Sequence, residues 1–197
     1  VYCLRALLES LSGPGHGDPS RQQLMGSPES YRRLLTGQKR LASFTVRVKE
    51  TNLYIAICKQ AFYKTLPAQV EQMVWRLRRQ IEDFISRHPD FRTTCQPYLL
   101  DEPAPDLVFR MVQAGNRAGV GPMAAVAGVL AESVGNSLLQ ISPEIIVENG
   151  GDIFTKIVEP VSVAIFAGNS PLSEKVAIHV DPGQTPLGIC TSSGTVG

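Results

Sequence analysis

The fold is decided by the stretch from Glu144 to Phe154, which reads Glu-Ile-Ile-Val-Glu-Asn-Gly-Gly-Asp-Ile-Phe. A run of β-forming residues enters the turn Asn149-Gly150-Gly151-Asp152, and a second apolar run, residues 153–157, leaves it. Asn-Gly between two strands is a strong hairpin signal, because both residues tolerate positive φ. We therefore predict two antiparallel strands joined at this turn.

Upstream, the sequence predicts a second hairpin and a long helix. Residues 43–50 alternate apolar and polar side chains, residues 53–58 are apolar, and Thr51-Asn52 is the expected turn between them. Residues 66–88 carry one apolar stripe at three- and four-residue steps, with Thr65 as the N-cap and Pro67 in the first turn. This stripe is typical of core packing.

Two further helices and a second group of strands complete the expected fold. Helices are predicted over residues 106–118 and 122–139, and small residues such as Gly128 and Ala131 give the second one a smooth surface. Strands are predicted over residues 161–167, 175–180 and 187–191. Strand groups on either side of helices predict an α+β domain with a mostly antiparallel sheet.

Length and composition favour one globular domain. The chain has 197 residues, 43% of them hydrophobic, and a formal net charge of +1. This balance gives no electrostatic argument for nucleic acid or for an anionic membrane. We expect residues 1–30 to form a peripheral arm, because residues 13–19 have loop composition. Residues 31–197 are expected to form a single domain whose C-terminal part is missing.

The cysteines and histidines do not follow a metal-site pattern. Cys3, Cys58, Cys95 and Cys190 are far apart and include no Cys-x-x-Cys pair. Zinc sites use closely spaced ligands, and disulfide frameworks belong mainly to short secreted chains. No segment is long and apolar enough to predict a membrane span. We therefore expect reduced cysteines in a cytoplasmic protein.

The turn at Asn149 has two interpretations. A tight hairpin alone explains the Asn-Gly pair. Alternatively, Gly150 and Gly151 allow a ligand to approach the backbone, and Asp152 binds a ligand hydroxyl, an amine or Mg²⁺. Two other small-residue motifs accompany it, Gly119-Val120-Gly121-Pro122 at a helix start and Thr191-Ser192-Ser193-Gly194-Thr195 near the chain end. On its own, the first motif fits a helix corner about as well as a ligand site, and the second is more typical of a polar strand end.

Three motifs in order carry a family resemblance. They are Ala-Gly-Val-Gly-Pro-Met-Ala-Ala-Val-Ala-Gly at residues 118–128, Ile-Val-Glu-Asn-Gly-Gly-Asp-Ile at residues 146–153, and Cys-Thr-Ser-Ser-Gly-Thr-Val-Gly at residues 190–197. From about Ser43 onward the chain resembles an uncharacterised prokaryotic family related to the ApbE-type flavin transferases (FAD:protein FMN transferases). The resemblance implies a T-fold-like α+β domain with a pocket for FAD or a related nucleotide.

The resemblance also implies a reaction and a set of site residues. ApbE-type enzymes transfer FMN from FAD to a threonine of a target protein with the assistance of Mg²⁺. The cofactor-binding residues implied here are Gly119, Gly121, Asn149, Gly150, Gly151, Asp152, Thr191, Ser192, Ser193, Gly194 and Thr195, with Asp152 as the metal ligand. No general base is identified. A homodimer is a plausible assembly by analogy with folds of this type.

Two departures from the ApbE pattern keep a second function open. The lysine of the helix entry is replaced by Met123 or Ala124, and His179-Val180-Asp181-Pro182 precedes Thr191 instead of following it. These differences favour the alternative of a non-catalytic module that binds a small metabolite or a protein partner.

Overall fold

The computed structural model describes residues 40–164 and 177–190. In chain order its elements are β1 (Leu41–Val48), β2 (Thr51–Cys58), α1 (Leu66–Arg87), α2 (Asp90–Thr93), α3 (Asp106–Ala118), α4 (Val126–Leu138), β3 (Ile145–Asn149), β4 (Asp152–Lys156), β5 (Val161–Ala164), β6 (Ala177–Val180) and β7 (Leu187–Cys190). Short 3-10 turns lie at Lys59–Ala61, Pro122–Ala125 and Pro182–Gln184.

The main sheet has five strands in the order β1-β2-β3-β4-β7, and every neighbouring pair is antiparallel. β5 and β6 form a separate antiparallel hairpin. Helices pack on one face of the five-stranded sheet, and the β5–β6 hairpin packs on the other. The prediction of an α+β fold with a mostly antiparallel sheet is therefore confirmed.

Strand alternation assigns side chains to the two faces of the sheet. Phe44, Val46 and Val48 of β1 pack with the helices, as do Ile145 and Val147 of β3. The intervening residues belong to the opposite face, where the core includes Tyr54, Ile146, Ile153, Val161 and Val163. The central strands are buried on both sides, and all residues of β3 are buried. A third core lies among the helices and is centred on Phe84, Phe91 and Met111.

The first hairpin forms as predicted, but its turn lies two residues earlier. Thr51 belongs to β2 and pairs with Val48, so the turn consists of Lys49 and Glu50. Lys49 takes the positive φ of 51° that the turn requires. Thr51 suits the strand because it is β-branched and only 4% exposed, and its hydroxyl accepts a 2.7 Å hydrogen bond from Arg78.

The predicted helices are confirmed with two differences. α1 and α3 have the expected extents, and Thr65 occupies the N-cap position of α1 without a side-chain capping bond. The third predicted helix begins as a 3-10 turn at Pro122–Ala125 and becomes α-helical only at Val126. The short helix α2 was not predicted. It places Phe91 fully inside the helical core.

A buried ion pair fixes the beginning of β3. Glu144 is 0% exposed, and its two carboxylate oxygens accept hydrogen bonds of 2.8 Å from Arg40 Nε and Nη2. Arg40 also pairs with Glu159 at 2.9 Å. The Glu144 carboxylate raises the pKa of the Arg40 guanidinium, mainly through their hydrogen bonds. The segments before β1, before β3 and before β5 are thus joined.

The cysteines differ from the prediction at one position. Cys58 and Cys190 carry free thiols, but Cys95 is disulfide-bonded. The expectation of reduced cysteines is therefore wrong for Cys95. Its sequence spacing gave no sign of this bond, because spacing reveals disulfides only in dense frameworks.

Some expectations fall outside the described residues, namely the arm at residues 1–30 and the outer ends of the strands predicted over 161–167, 175–180 and 187–191. Within residues 40–164 and 177–190, no single helix is long and apolar enough to cross a membrane. α3 together with the segment Pro122–Leu138 meets that test on length and composition, but the two are bent by 106°.

Candidate functional site

The β3–β4 turn is a two-residue hairpin loop. Asn149 and Asp152 face each other as the last pair of the ladder, and Gly150 and Gly151 have φ angles of 60° and 100°. Positive φ at both central residues is the signature of a type I′ turn, which suits the twist of the flanking strands. Gly150 is exposed, and a Cβ added there would meet nothing within 4 Å. The outer side of the turn is therefore open.

The turn is attached to the first residues of α4. Asn149 Nδ2 donates a hydrogen bond of 3.1 Å to the carbonyl oxygen of Ala127. A Cβ added to Gly128 would lie 3.5 Å from Asp152 Oδ2, so the carboxylate rests directly against this glycine. Residues 123–128 are partly exposed and mostly small. The part of α4 that the sequence predicts to have a smooth, small-residue surface therefore lies next to the β3–β4 turn.

Asp152 is the partly buried carboxylate of this site. Burial raises its pKa, and the nearby charge of Glu148 acts in the same direction, whereas the backbone N–H of Gly128 opposes the rise. No ion pair of Asp152 is present in residues 40–164 and 177–190. A partly buried carboxylate with a raised pKa is one whose ionised form gains from an arriving cation.

Glu148 is a residue of this region that sequence reasoning missed. Its side chain is 0% exposed, and Oε1 accepts a hydrogen bond of 2.9 Å from the backbone N–H of Gly151. Alternation places Glu148 on the sheet face opposite Asp152. The available signal was an acidic residue within an otherwise apolar strand, because such a residue is seldom buried without a specific partner.

The free thiol of Cys190 lies beside Asp152 on the neighbouring strand β7. Cys190 is exposed and is the β7 partner of Asp152 in the antiparallel ladder. Both residues end their strands at the same edge of the molecule. The third small-residue motif, Thr191-Ser192-Ser193-Gly194-Thr195, follows Cys190 directly but lies outside the described residues. Its role as a ligand contact stays a prediction.

The glycines before α4 have evident structural roles. Gly119 ends α3 in the left-handed conformation, with φ of 69°. Gly121 is buried, and an added Cβ would lie 1.9 Å from the carbonyl oxygen of Thr94. Gly121 thus allows close approach of the α2 segment, whereas the space beside Gly119 is open. Their contact with a phosphate stays a prediction.

The described residues do not form a resident metal site. Within them, no group of three or more His, Cys, Asp or Glu side chains could hold a metal ion. Asp152 is therefore a single candidate ligand, and a metal bound there needs its other ligands from water and from a bound molecule. Mg²⁺ is commonly held in this way, by one or two carboxylates and the phosphates of a substrate.

Arg110 is engaged in contacts within the protein. It donates hydrogen bonds to Glu132 and Ser133 of α4. It also lies 3.8 Å from Asp106 in its own helix. These contacts join α3 to α4 and assign Glu132 to an ion pair.

Fold and site together define a small α+β protein with an open, glycine-rich β-turn beside a helix start. The family model described as AbpE bacteria matches residues 32–197, and the chain belongs to this family.

Curated proteins named UPF0280 protein are similar to this chain. The one from Methanocella arvoryzae is 44% identical over 125 residues, covering 63% of this chain and 51% of the relative. The one from Methanococcus vannielii is 37% identical over 160 residues, covering 80% of this chain and 63% of the relative. The one from Methanocaldococcus jannaschii is 35% identical over 152 residues, covering 76% of this chain and 60% of the relative. The matched part of this chain thus spans between half and two thirds of these relatives.

These matches correct the family identification. AbpE is a different family from the ApbE-type flavin transferases, so the predicted ApbE-like membership is wrong. The flavin transferase function and the FAD pocket were drawn from that resemblance and lose their support with it. The short motifs misled because glycine-rich turns and small-residue helix starts meet common backbone needs in unrelated families.

Proposed function

We propose that this chain binds a phosphorylated small molecule of the nucleotide class together with Mg²⁺ at the β3–β4 turn. The observation that carries the proposal is the Asp152 carboxylate, which is partly buried, has a raised pKa and lies beside the open turn at Gly150. A divalent cation would stabilise the ionised form of this carboxylate. Asp152 would hold the ion, and the phosphates would provide further oxygen ligands.

The charge of the region explains why the metal accompanies the ligand. Asp152 is an acidic side chain beside the open turn, and Arg110 is paired with Glu132. A bare phosphate would be repelled by the Asp152 carboxylate. Mg²⁺ bridges two negative groups and removes this repulsion.

The shape of the turn supports the same ligand class. The exposed Gly150 and the small residues beside Gly128 leave backbone accessible without side chains in the way. Backbone N–H groups in turns and at helix starts are ordinary partners of phosphate oxygens. The proposal keeps Thr191–Thr195 as a predicted contact, since these residues follow the β7 partner of Asp152.

Isothermal titration of the whole chain with ATP tests the proposal. We expect binding with Mg²⁺, at least tenfold weaker binding when EDTA removes the metal, and a similar loss in Asp152→Asn. The matched control is Asp101→Asn, which changes an exposed aspartate in the loop before α3. Equal affinity of the wild type and Asp152→Asn, or no binding of Mg²⁺·ATP by the wild type, would contradict the proposal.

Three finer expectations accompany the proposed function. The T-fold-like arrangement, the cytoplasmic location and the homodimer stay predictions from the sequence. β1 and β7 are the outer strands of the described sheet, and an outer strand is where a second copy could extend it.

A further inference from the structure

We propose that Glu148 is a positioning residue that holds the β3–β4 turn from the opposite face of the sheet and thereby orients Asp152 toward its ligand. This inference rests on the proposed function. It starts from the location of Glu148, which is fully buried on the face covered by the β5–β6 hairpin. A carboxylate is rarely enclosed in this way unless it binds a specific group.

One group that it binds is the backbone of the turn. The N–H of Gly151 donates to Glu148 Oε1 at 2.9 Å. Gly151 has φ of 100°, a backbone conformation that side-chain-bearing residues rarely adopt. A hydrogen bond to a charged acceptor is stronger than one to a neutral acceptor. The carboxylate therefore fixes the peptide that immediately precedes Asp152.

The opposite side of the turn is held by α4. Asn149 Nδ2 binds the Ala127 carbonyl oxygen, and the Asp152 carboxylate rests against Gly128. Asn149 and Asp152 lie on the helix side of the hairpin, whereas Glu148 lies on the other side. The turn is thus clamped between the helix start and a buried carboxylate. Loss of Glu148 releases one half of this clamp and leaves the hydrogen bond between Asn149 and Ala127 on the other half in place.

The other buried glutamate of β3 provides a matched comparison. Glu144 is on the same face, four residues earlier, and is also 0% exposed. Its carboxylate binds Arg40 and makes no bond to the turn. A substitution at Glu144 therefore removes a buried carboxylate from the same strand while leaving the Gly151 hydrogen bond in place.

The test combines Mg²⁺·ATP titration with hydrogen exchange of the Gly151 amide in the whole chain. Glu148→Leu removes the acceptor, so we expect Gly151 to exchange at least tenfold faster and the ligand to bind at least tenfold more weakly. Glu148→Gln keeps an amide oxygen in place of the carboxylate, so both quantities should stay within about threefold of wild type. Glu144→Gln should leave both unchanged while the protein remains folded.

The outcomes separate this inference from the proposed function. Wild-type affinity in a folded Glu148→Leu variant, or loss of affinity in Glu144→Gln equal to that in Glu148→Leu, would overturn the positioning role and leave the ligand site standing. If Glu148→Leu does not fold, failure of Glu148→Gln to retain binding and Gly151 protection would overturn the role. Absence of binding by the wild type would overturn the proposed function, and the ligand-orienting role with it.

Discussion

At the scale of single residues, burial and local charge set the protonation of Asp152. Its pKa is raised first by burial and also by the charge of Glu148. The folded protein therefore holds the Asp152 proton more tightly than the unfolded chain does. Folding disfavours the ionised form relative to the unfolded chain, and the ionised form is the one that a cation binds.

This raised pKa predicts a specific pH dependence of stability. Where the folded state binds more protons than the unfolded state, the free energy of unfolding falls as pH rises. For Asp152 this fall begins near its ordinary pKa of 3.8 and ends above the raised value. Asp152→Asn lacks this titration, so its stability relative to wild type should increase as pH rises through that window.

Urea unfolding of both proteins at a series of pH values measures the effect. The control is Asp101→Asn, whose stability relative to wild type should not follow this course. Parallel curves for wild type and Asp152→Asn would show that Asp152 titrates alike in the folded and unfolded chains, contrary to this description of the site.

Residues of the turn were predictable from the sequence because turn chemistry is local. Asn-Gly-Gly favours a tight turn with positive φ, so Asn149 to Asp152 could be located without knowledge of the fold. Glu148 could not be assigned to the site, because its role depends on which face it occupies. The contact of Asn149 with Ala127 likewise depends on the packing of a helix from elsewhere in the chain.

At the scale of elements, α4 is adapted to lie close to β4. Gly135 faces Phe154, and a Cβ added to Gly135 would lie 2.2 Å from Phe154 Cδ1. Gly128, two turns earlier, faces the Asp152 carboxylate at an ordinary contact distance. The two glycines therefore have different roles on the same helix. Gly135 permits close packing, and Gly128 leaves space beside the turn.

Alanine substitutions at these glycines should have opposite effects on stability. Gly135→Ala forces Phe154 or the helix to move, and such overpacking costs about 1–3 kcal/mol. Gly128→Ala adds a methyl group without a clash and reduces the freedom of the unfolded chain, so stability should be unchanged or higher by about 0.5–1 kcal/mol. Thermal or urea unfolding measures both. Equal stability of the two variants would show that α4 does not approach Phe154 as described.

The elements that the sequence predicted best are those with sustained periodicity. The stripe of α1, with Val70, Val74 and Ile81, extends over many residues and was recognised over the correct range. The four-residue helix α2 has too few residues for a period, and burial of Phe91 explains its formation only once the helical core is known. The 3-10 turn at Pro122–Ala125 depends similarly on Gly121 packing against Thr94.

At the scale of the whole molecule, long-range contacts bring the site together. β3 and β4 are neighbours in the chain, but β2 reaches β3 only after all four helices, and β7 pairs with β4 after the β5–β6 hairpin. The sequence predicted the α+β class from the arrangement of strands and helices. It could not predict the strand order, because several orders bury the same apolar faces.

The family match shows that short motifs are not enough to identify the family of a whole chain. Residues 32–197 match the AbpE bacteria model, whereas the predicted ApbE relationship rested on three short segments. The hairpin and the small-residue helix start exist as backbone features. Their presence identifies a place where a ligand can approach, and the ligand must be established from the charges around it.

The central claim is that the β3–β4 turn and the start of α4 bind the ligand, and amide chemical-shift mapping of the ¹⁵N-labelled whole chain tests it most directly. On addition of Mg²⁺·ATP, the largest shifts should occur at Gly128, Gly150, Gly151 and Asp152, and they should be lost in Asp152→Asn. Shifts concentrated on the β5–β6 hairpin or on α1, or no shifts at all, would contradict the claim.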